Sequence, residues 1–138
     1  MKELKRENGL VILRFDKGED LMGSLTGWLE EQCIQSAAIL GGIGMLSNME
    51  IGRYDGREYS KITEEESCEI LSLQGSVSMK EGKPFVHLHV SFANHDFHAI
   101  GGHLFSGTVS MTIELVLAPM SPGLVRKPMG GVFWQMDS

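Results

Sequence analysis

At 138 residues with 42% hydrophobic content, the chain is long enough to form one domain with a buried core. Its net charge of −6 argues against a free-standing nucleic-acid binder, which needs clustered Lys and Arg to displace counterions from phosphates. Two cysteines, Cys33 and Cys68, exclude a disulfide framework, and with no CxxC partner both read as small core residues.

The N-terminal M-K-E-L-K-R-E-N-G lacks the apolar stretch of a signal peptide, and no apolar run approaches the length of a membrane span. The expectation is a cytoplasmic protein with reduced thiols.

In chain order, residues 10–15 (L-V-I-L-R-F) predict a strand. A turn over residues 16–20 ends at Asp20, whose carboxylate can cap a following helix. Leu21, Leu25, Trp28 and Leu29 give that helix its apolar stripe. Gly23 and Gly27 weaken it by about 1 kcal/mol each relative to Ala. Residues 34–46 begin as a buried strand and end in a glycine-rich turn. No helix N-terminus and no Lys-Ser/Thr follow those glycines, so a phosphate-cradling loop is poorly supported.

Residues 49–54 predict another strand, closed by Asp55-Gly56-Arg57, and the acidic residues 61–67 read as an exposed segment. Residues 69–79 alternate, with Leu71, Leu73, Val77 and Met79 on the core side. A turn at residues 80–83 leads into a second alternating strand. Late in the chain, residues 107–118 form the longest strand, with Met111, Ile113, Leu115 and Leu117 on one face. The tail, from Pro119 onward, reads as irregular structure and a last short strand. With about seven strands, one clear helix and no βα alternation, the expected fold is a single α+β domain over residues 1–138. It is built on a mainly antiparallel sheet with one or two flanking helices.

All five histidines lie between residues 85 and 105. His87 and His89 share one face of a strand. The turn formers Asn94 and Asp96 separate that strand from the next. A hairpin centred on Asp96 sets His89 opposite His103, with His87 as the diagonal neighbour. Facing Cβ atoms are then about 5 Å apart and diagonal ones about 7 Å apart. Three imidazoles so placed can share one metal ion with a fourth position open, as in catalytic rather than structural zinc sites. A one-residue slip, for instance at a bulge over Gly101-Gly102, would turn His103 to the other face. Without convergence, H-x-H is only the polar face of a sheet. His95 and His98 fall in the turn and read as solvated.

Glu114 sits alone among uncharged strand residues. It is a candidate acceptor for a ligand histidine, or a carboxylate on a solvated or inter-subunit face. Arg126 is a candidate for meeting a substrate anion, or a solvated tail charge.

H-L-H-V-S-F-A-N-H-D-F-H-A-I-G-G-H-L-F-S-G, followed by M-T-I-E-L-V-L, resembles the plants-and-prokaryotes conserved domain often called PPC. A-A-I-L-G-G-I-G-M-L and C-E-I-L-S-L-Q-G-S-V agree with it in the expected order. The resemblance implies an α+β homotrimer in which His87, His89 and His103 hold zinc. It also implies similarity to acetolactate decarboxylase, where a comparable trio holds a catalytic metal. Plant members accompany AT-hooks, and prokaryotic relatives are labelled DNA-binding by that association. This chain has no R-G-R-P core, and Ser67 and Cys68 stand where plant members carry Arg and an aromatic residue. Nucleic acid is therefore not the expected partner. The expected partners are further copies of the chain and a small-molecule anion, such as an oxo- or hydroxy-acid, that a zinc or other divalent transition-metal site can polarise. The alternative is an oligomerisation or regulatory module without catalysis.

Overall fold

A computed structural model describes residues 1–138. It contains nine strands and one helix: β1 (Lys2–Glu7), β2 (Leu10–Asp16), α1 (Leu21–Glu31), β3 (Ser36–Tyr54), β4 (Tyr59–Glu64), β5 (Cys68–Lys80), β6 (Lys83–Ala93), β7 (Ala99–Met120), β8 (Val125–Gly130) and β9 (Phe133–Asp137). Nearly all pairings are antiparallel, and the mainly antiparallel α+β fold expected from the sequence is the fold observed. No helix is long and apolar enough to cross a membrane.

Long strands β3 and β7 form the spine. β5 pairs with β3 and β6, and β6 pairs with β5 and β7, so the four strands join in a closed circuit. Their inward residues, among them Leu46, Met49, Leu73, Leu88, Phe92 and Leu104, form one apolar core. β2 extends the sheet beyond β7 and buries Val11, Leu13 and Phe15.

Helix α1 follows from its sequence. The Asp20 carboxylate accepts from the Gly23 N–H at 3.1 Å. Leu21, Leu25, Trp28 and Leu29 are buried. At its end the Ile34 N–H donates to the Leu29 carbonyl and the Cys33 N–H to that of Glu30, a Schellman closure. Cys33 occupies the left-handed position of that closure, with φ of 53°, where glycine is usual. It is exposed rather than in the core as expected, because a left-handed cap points away from the helix it ends. Cys68 is buried as expected.

Several sequence expectations need correction. The glycines at 41, 42 and 44 make no turn; β3 runs through them, because Gly44 lies against the backbone of Thr112 and Ile113, where a Cβ has no room. Residues 61–67 are largely exposed as expected, but the first four belong to a strand that was not foreseen, β4, paired with β3. Leu71 is exposed and Ile70 buried in its place, because a register shift between Ile70 and Ser72 changes the phase of β5. Met111 is likewise exposed: β3 register jumps from Gly44↔Ile113 to Leu46↔Val109, so β7 bulges between them. Residues 2–7, unassigned from the sequence, pair as β1 with β2; the last short strand expected in the tail is β9, and the residues before it, read as irregular, add β8 to complete a hairpin.

Candidate metal centre

Val86, Leu88, Val90 and Phe92 of β6 are buried in the core, so His87 and His89 project from the opposite face. On β7 the buried Leu104 places His103 and Phe105 on that same side. The β6–β7 register pairs Ala93 with Ala99 and His89 with His103, a hairpin centred on Asp96 with no shift at Gly101-Gly102. Asn94 holds the turn: its side-chain oxygen accepts from the N–H groups of Asp96 at 3.1 Å and His98 at 2.9 Å. His95 and His98 are exposed in the turn and take no part in the cluster, as expected for solvated loop residues.

One candidate ligand atom from each of His87, His89 and His103 lies within 4.8 Å of the others. Their rings are 4.9–5.6 Å apart between centroids. Glycines allow the strands to come together around the trio. Gly75 lies against the His87 carbonyl and Gly101 against that of Val90, neither with space for a side chain.

The electrostatics suit a cation ligand set. His103 is pushed down to about 4 by burial, then by the neighbouring His87, His89, Arg126 and Lys61. His87 is also lowered, first by burial and then by Arg126 and His89. No carboxylate is hydrogen-bonded to the trio, and burial favours the neutral form of His87 and His103, the form that donates a lone pair to metal. The Nδ1 of His103 is buried without a hydrogen-bond partner. Such an orphaned nitrogen, beside two further imidazoles, fits a divalent transition metal.

The same burial makes a pH prediction. The unfolded chain protonates His103 near 6.5 while the fold resists protonation down to about 4, so acid favours unfolding across that window. Metal-free protein is expected to lose about 1–2 kcal/mol of stability from this group as pH falls from 6.5 to 4, after discounting for solvent screening of a half-buried ring. Urea melts across that range should show a shallower slope for His103→Gln.

Of the two weaker candidates, the structure brings Arg126 to the trio and leaves Glu114 away. The Arg126 guanidinium donates to the Ser78 hydroxyl at 2.9 Å, to the Trp134 carbonyl at 3.1 Å and to His87 Nδ1 at 3.2 Å. Burial lowers its pKa. Glu114 lies on the exposed face of β7, between Arg14 of β2 and Ile43 of β3. It is eleven residues past His103, about 35 Å of extended strand, which does not place it as an acceptor for a ligand histidine.

A cavity of about 530 Å³ opens beside the trio, within the range of small-molecule sites. Its walls include Tyr59, Lys80, Phe85, Arg126, Phe133 and Trp134. Sequence reasoning missed Lys80, Tyr59 and Trp134. Gly130-Gly131 between two short runs was the available signal for the hairpin that carries Trp134.

A model of the Plants and Prokaryotes Conserved (PCC) domain matches residues 4–121. The chain belongs to this family. A metal-containing protein of Archaeoglobus fulgidus is 38% identical to this PCC domain, with a TM-score of 0.80 over 98% of this chain and 99% of that one. A Bacteroides thetaiotaomicron structure described as a candidate DNA-binding protein has a TM-score of 0.88 over 96% and 94% of the two chains. At 24% identity it shows the shared fold alone. The PCC domain is also 35% identical over 107 residues to the bifunctional protein GlmU of a Synechococcus strain. That match covers 77% of this chain but spans only 16% of the GlmU length.

Proposed function

We propose that this PCC domain holds zinc, or another divalent transition metal, on His87, His89 and His103, and there binds or transforms a small anionic molecule. The convergence of three imidazoles beside an open cavity carries this reading. The metal-containing relative from Archaeoglobus fulgidus supports it. When bound, such an ion supplies Lewis-acid polarisation of a carbonyl or hydroxyl oxygen. The chain's own residues do the rest. β6 and β7 fix the spacing of the ligands, while Tyr59 and Phe105 pack beside His103 at 5.3 and 4.5 Å between centroids and hold its ring in place. A titration against a chromophoric chelator tests the reading. Wild type is expected to bind one zinc per chain, and His89→Ala to bind it at least about 100-fold more weakly. Equal affinity in the two proteins would contradict it.

A second reading, an oligomerisation or regulatory module without catalysis, is favoured by the outer sheet face. Leu40, Ile43, Leu71 and Met111, on neighbouring strands β3, β5 and β7, are each more than half exposed. Such an apolar face suits burial against further copies of the chain. The proposed homotrimer is compatible with either function. Sedimentation equilibrium is expected to give three times the 15.2 kDa chain mass, and Ile43→Lys to shift it toward monomer. With a net charge of −6, any duplex binding is expected to vanish at modest salt.

A further inference from the structure

Two cations face the cavity without a carboxylate partner. Arg126 and Lys80 form no ion pair, whereas Lys61, the third cation there, is held by Glu50 at 2.7 Å. Glu58 is the one acidic residue on the wall. Lys80 rests over the rings of Trp134 at 4.4 Å and Phe85 at 5.2 Å, and Arg126 over Phe85 at 5.0 Å. The charges are therefore desolvated on one side by aromatic surface, where a ligand carboxylate gains most.

The Arg126–His87 bond adds a constraint. A guanidinium only donates, so His87 Nδ1 is the acceptor. A neutral imidazole has one lone pair to give. While Arg126 holds it, Nε2 carries the proton and His87 has nothing to offer a metal. Coordination through Nδ1 uses the lone pair that Arg126 now occupies. Coordination through Nε2 moves the proton to Nδ1, which then faces a guanidinium N–H, donor against donor. Either way, metal loading ends this hydrogen bond. Arg126 stays tethered in the cavity by Ser78 and the Trp134 carbonyl, with its third donor group freed.

We propose that the cavity is a subsite for an aromatic carboxylate, gripped by Arg126 and Lys80 between the rings of Phe85 and Trp134, and that Arg126 becomes available to it when His87 takes up metal. This rests on the metal reading above. Arg126 and Trp134 lie beyond residues 4–121, the part that matches the family, while Lys80 and Phe85 lie within it, so half of the grip comes from a segment the family pattern does not fix. Metal and anion then favour one another's binding reciprocally.

Calorimetric titration of the zinc-loaded full chain with benzoate, its neutral analogue benzamide, and acetate tests the idea. Benzoate is expected to bind at least tenfold more tightly than either of the others. Arg126→Gln should weaken benzoate at least tenfold while binding zinc no more weakly than wild type. Lys80→Met, at an independent wall position, should weaken benzoate several-fold and leave zinc unchanged, which keeps the test open should the Arg126 variant misfold. Benzoate and benzamide bound equally, or folded variants of unaltered benzoate affinity, would overturn the subsite while leaving a zinc-binding wild type intact. A folded Arg126→Gln protein with tenfold weaker zinc binding would overturn the release of Arg126. Failure of wild type to bind zinc at all would overturn the metal reading and this inference together.

Discussion

Zinc at about a thousand times its dissociation constant is expected to stabilise the protein by about 4 kcal/mol, and His103→Ala to remove nearly all of that gain. The trio exists only when β6 and β7 are paired in register, so the ion is bound by the folded chain and hardly at all by the unfolded one. The variant has a second signature. Removing His103 loses its packing on Tyr59 and Phe105, but also removes a buried nitrogen with no partner. These effects oppose each other, and metal-free His103→Ala is expected to lie within about 1 kcal/mol of metal-free wild type. Urea melts of chelator-treated protein, with and without zinc, separate the two cases. A purely structural histidine would leave the variant unstable and wild type indifferent to zinc.

Gly75→Ala is expected to cost at least about 3 kcal/mol and to weaken zinc binding as well. Gly75 pairs with Leu88 on one side and Ile39 on the other. A Cβ there would run into the carbonyl of His87 and come within 3.1 Å of the Leu88 Cα. Both are backbone atoms of a central strand and cannot swing aside, so the cost should reach or exceed the usual 1–3 kcal/mol of overpacking. Relief requires β6 to move away from β5, which carries His87 out of the trio. The matching control is Gly27→Ala in α1, where nothing lies within 4 Å. That change is expected to stabilise by about 0.5–1 kcal/mol, since alanine is the better helix former. Chemical denaturation of both variants, with zinc titrations on Gly75→Ala, checks the pair.

What was legible in the sequence was what local chemistry decides. Asn94 and Asp96 set a turn, the turn set the register, and the register put His103 opposite His89. Asp20 and the Leu21–Leu25–Trp28–Leu29 stripe marked the helix in the same way. What escaped was decided by strands distant in the chain. Gly41, Gly42 and Gly44 look like a loop until β7 is laid against them; a Cβ at Gly44 would then meet the backbone of Thr112 and Ile113 and one at Gly42 would crowd Leu73 and the Glu114 carbonyl, while Gly41 has room for one. Leu71 and Met111 keep alternation in the sequence, but bulges reset the phase, and no glycine beside either one marks the bulge. Glu114 drew notice as a lone carboxylate within a strand; its exposed face, beside Arg14, removes the need for a histidine partner. Arg126 was a candidate for meeting an anion or a solvated tail charge, and nothing local decided between them. Its placement depends on β8 meeting β5 through a single bridge, Met79 to Val125. Lys80 and Trp134 entered the site through that same contact.

The most direct measurement of the central claim is elemental analysis of protein purified without a histidine tag, alongside His89→Ala prepared identically. Near one zinc per chain is expected in wild type and almost none in the variant. Wild-type protein that is metal-free, no more stable with added zinc than without it, would contradict the claim.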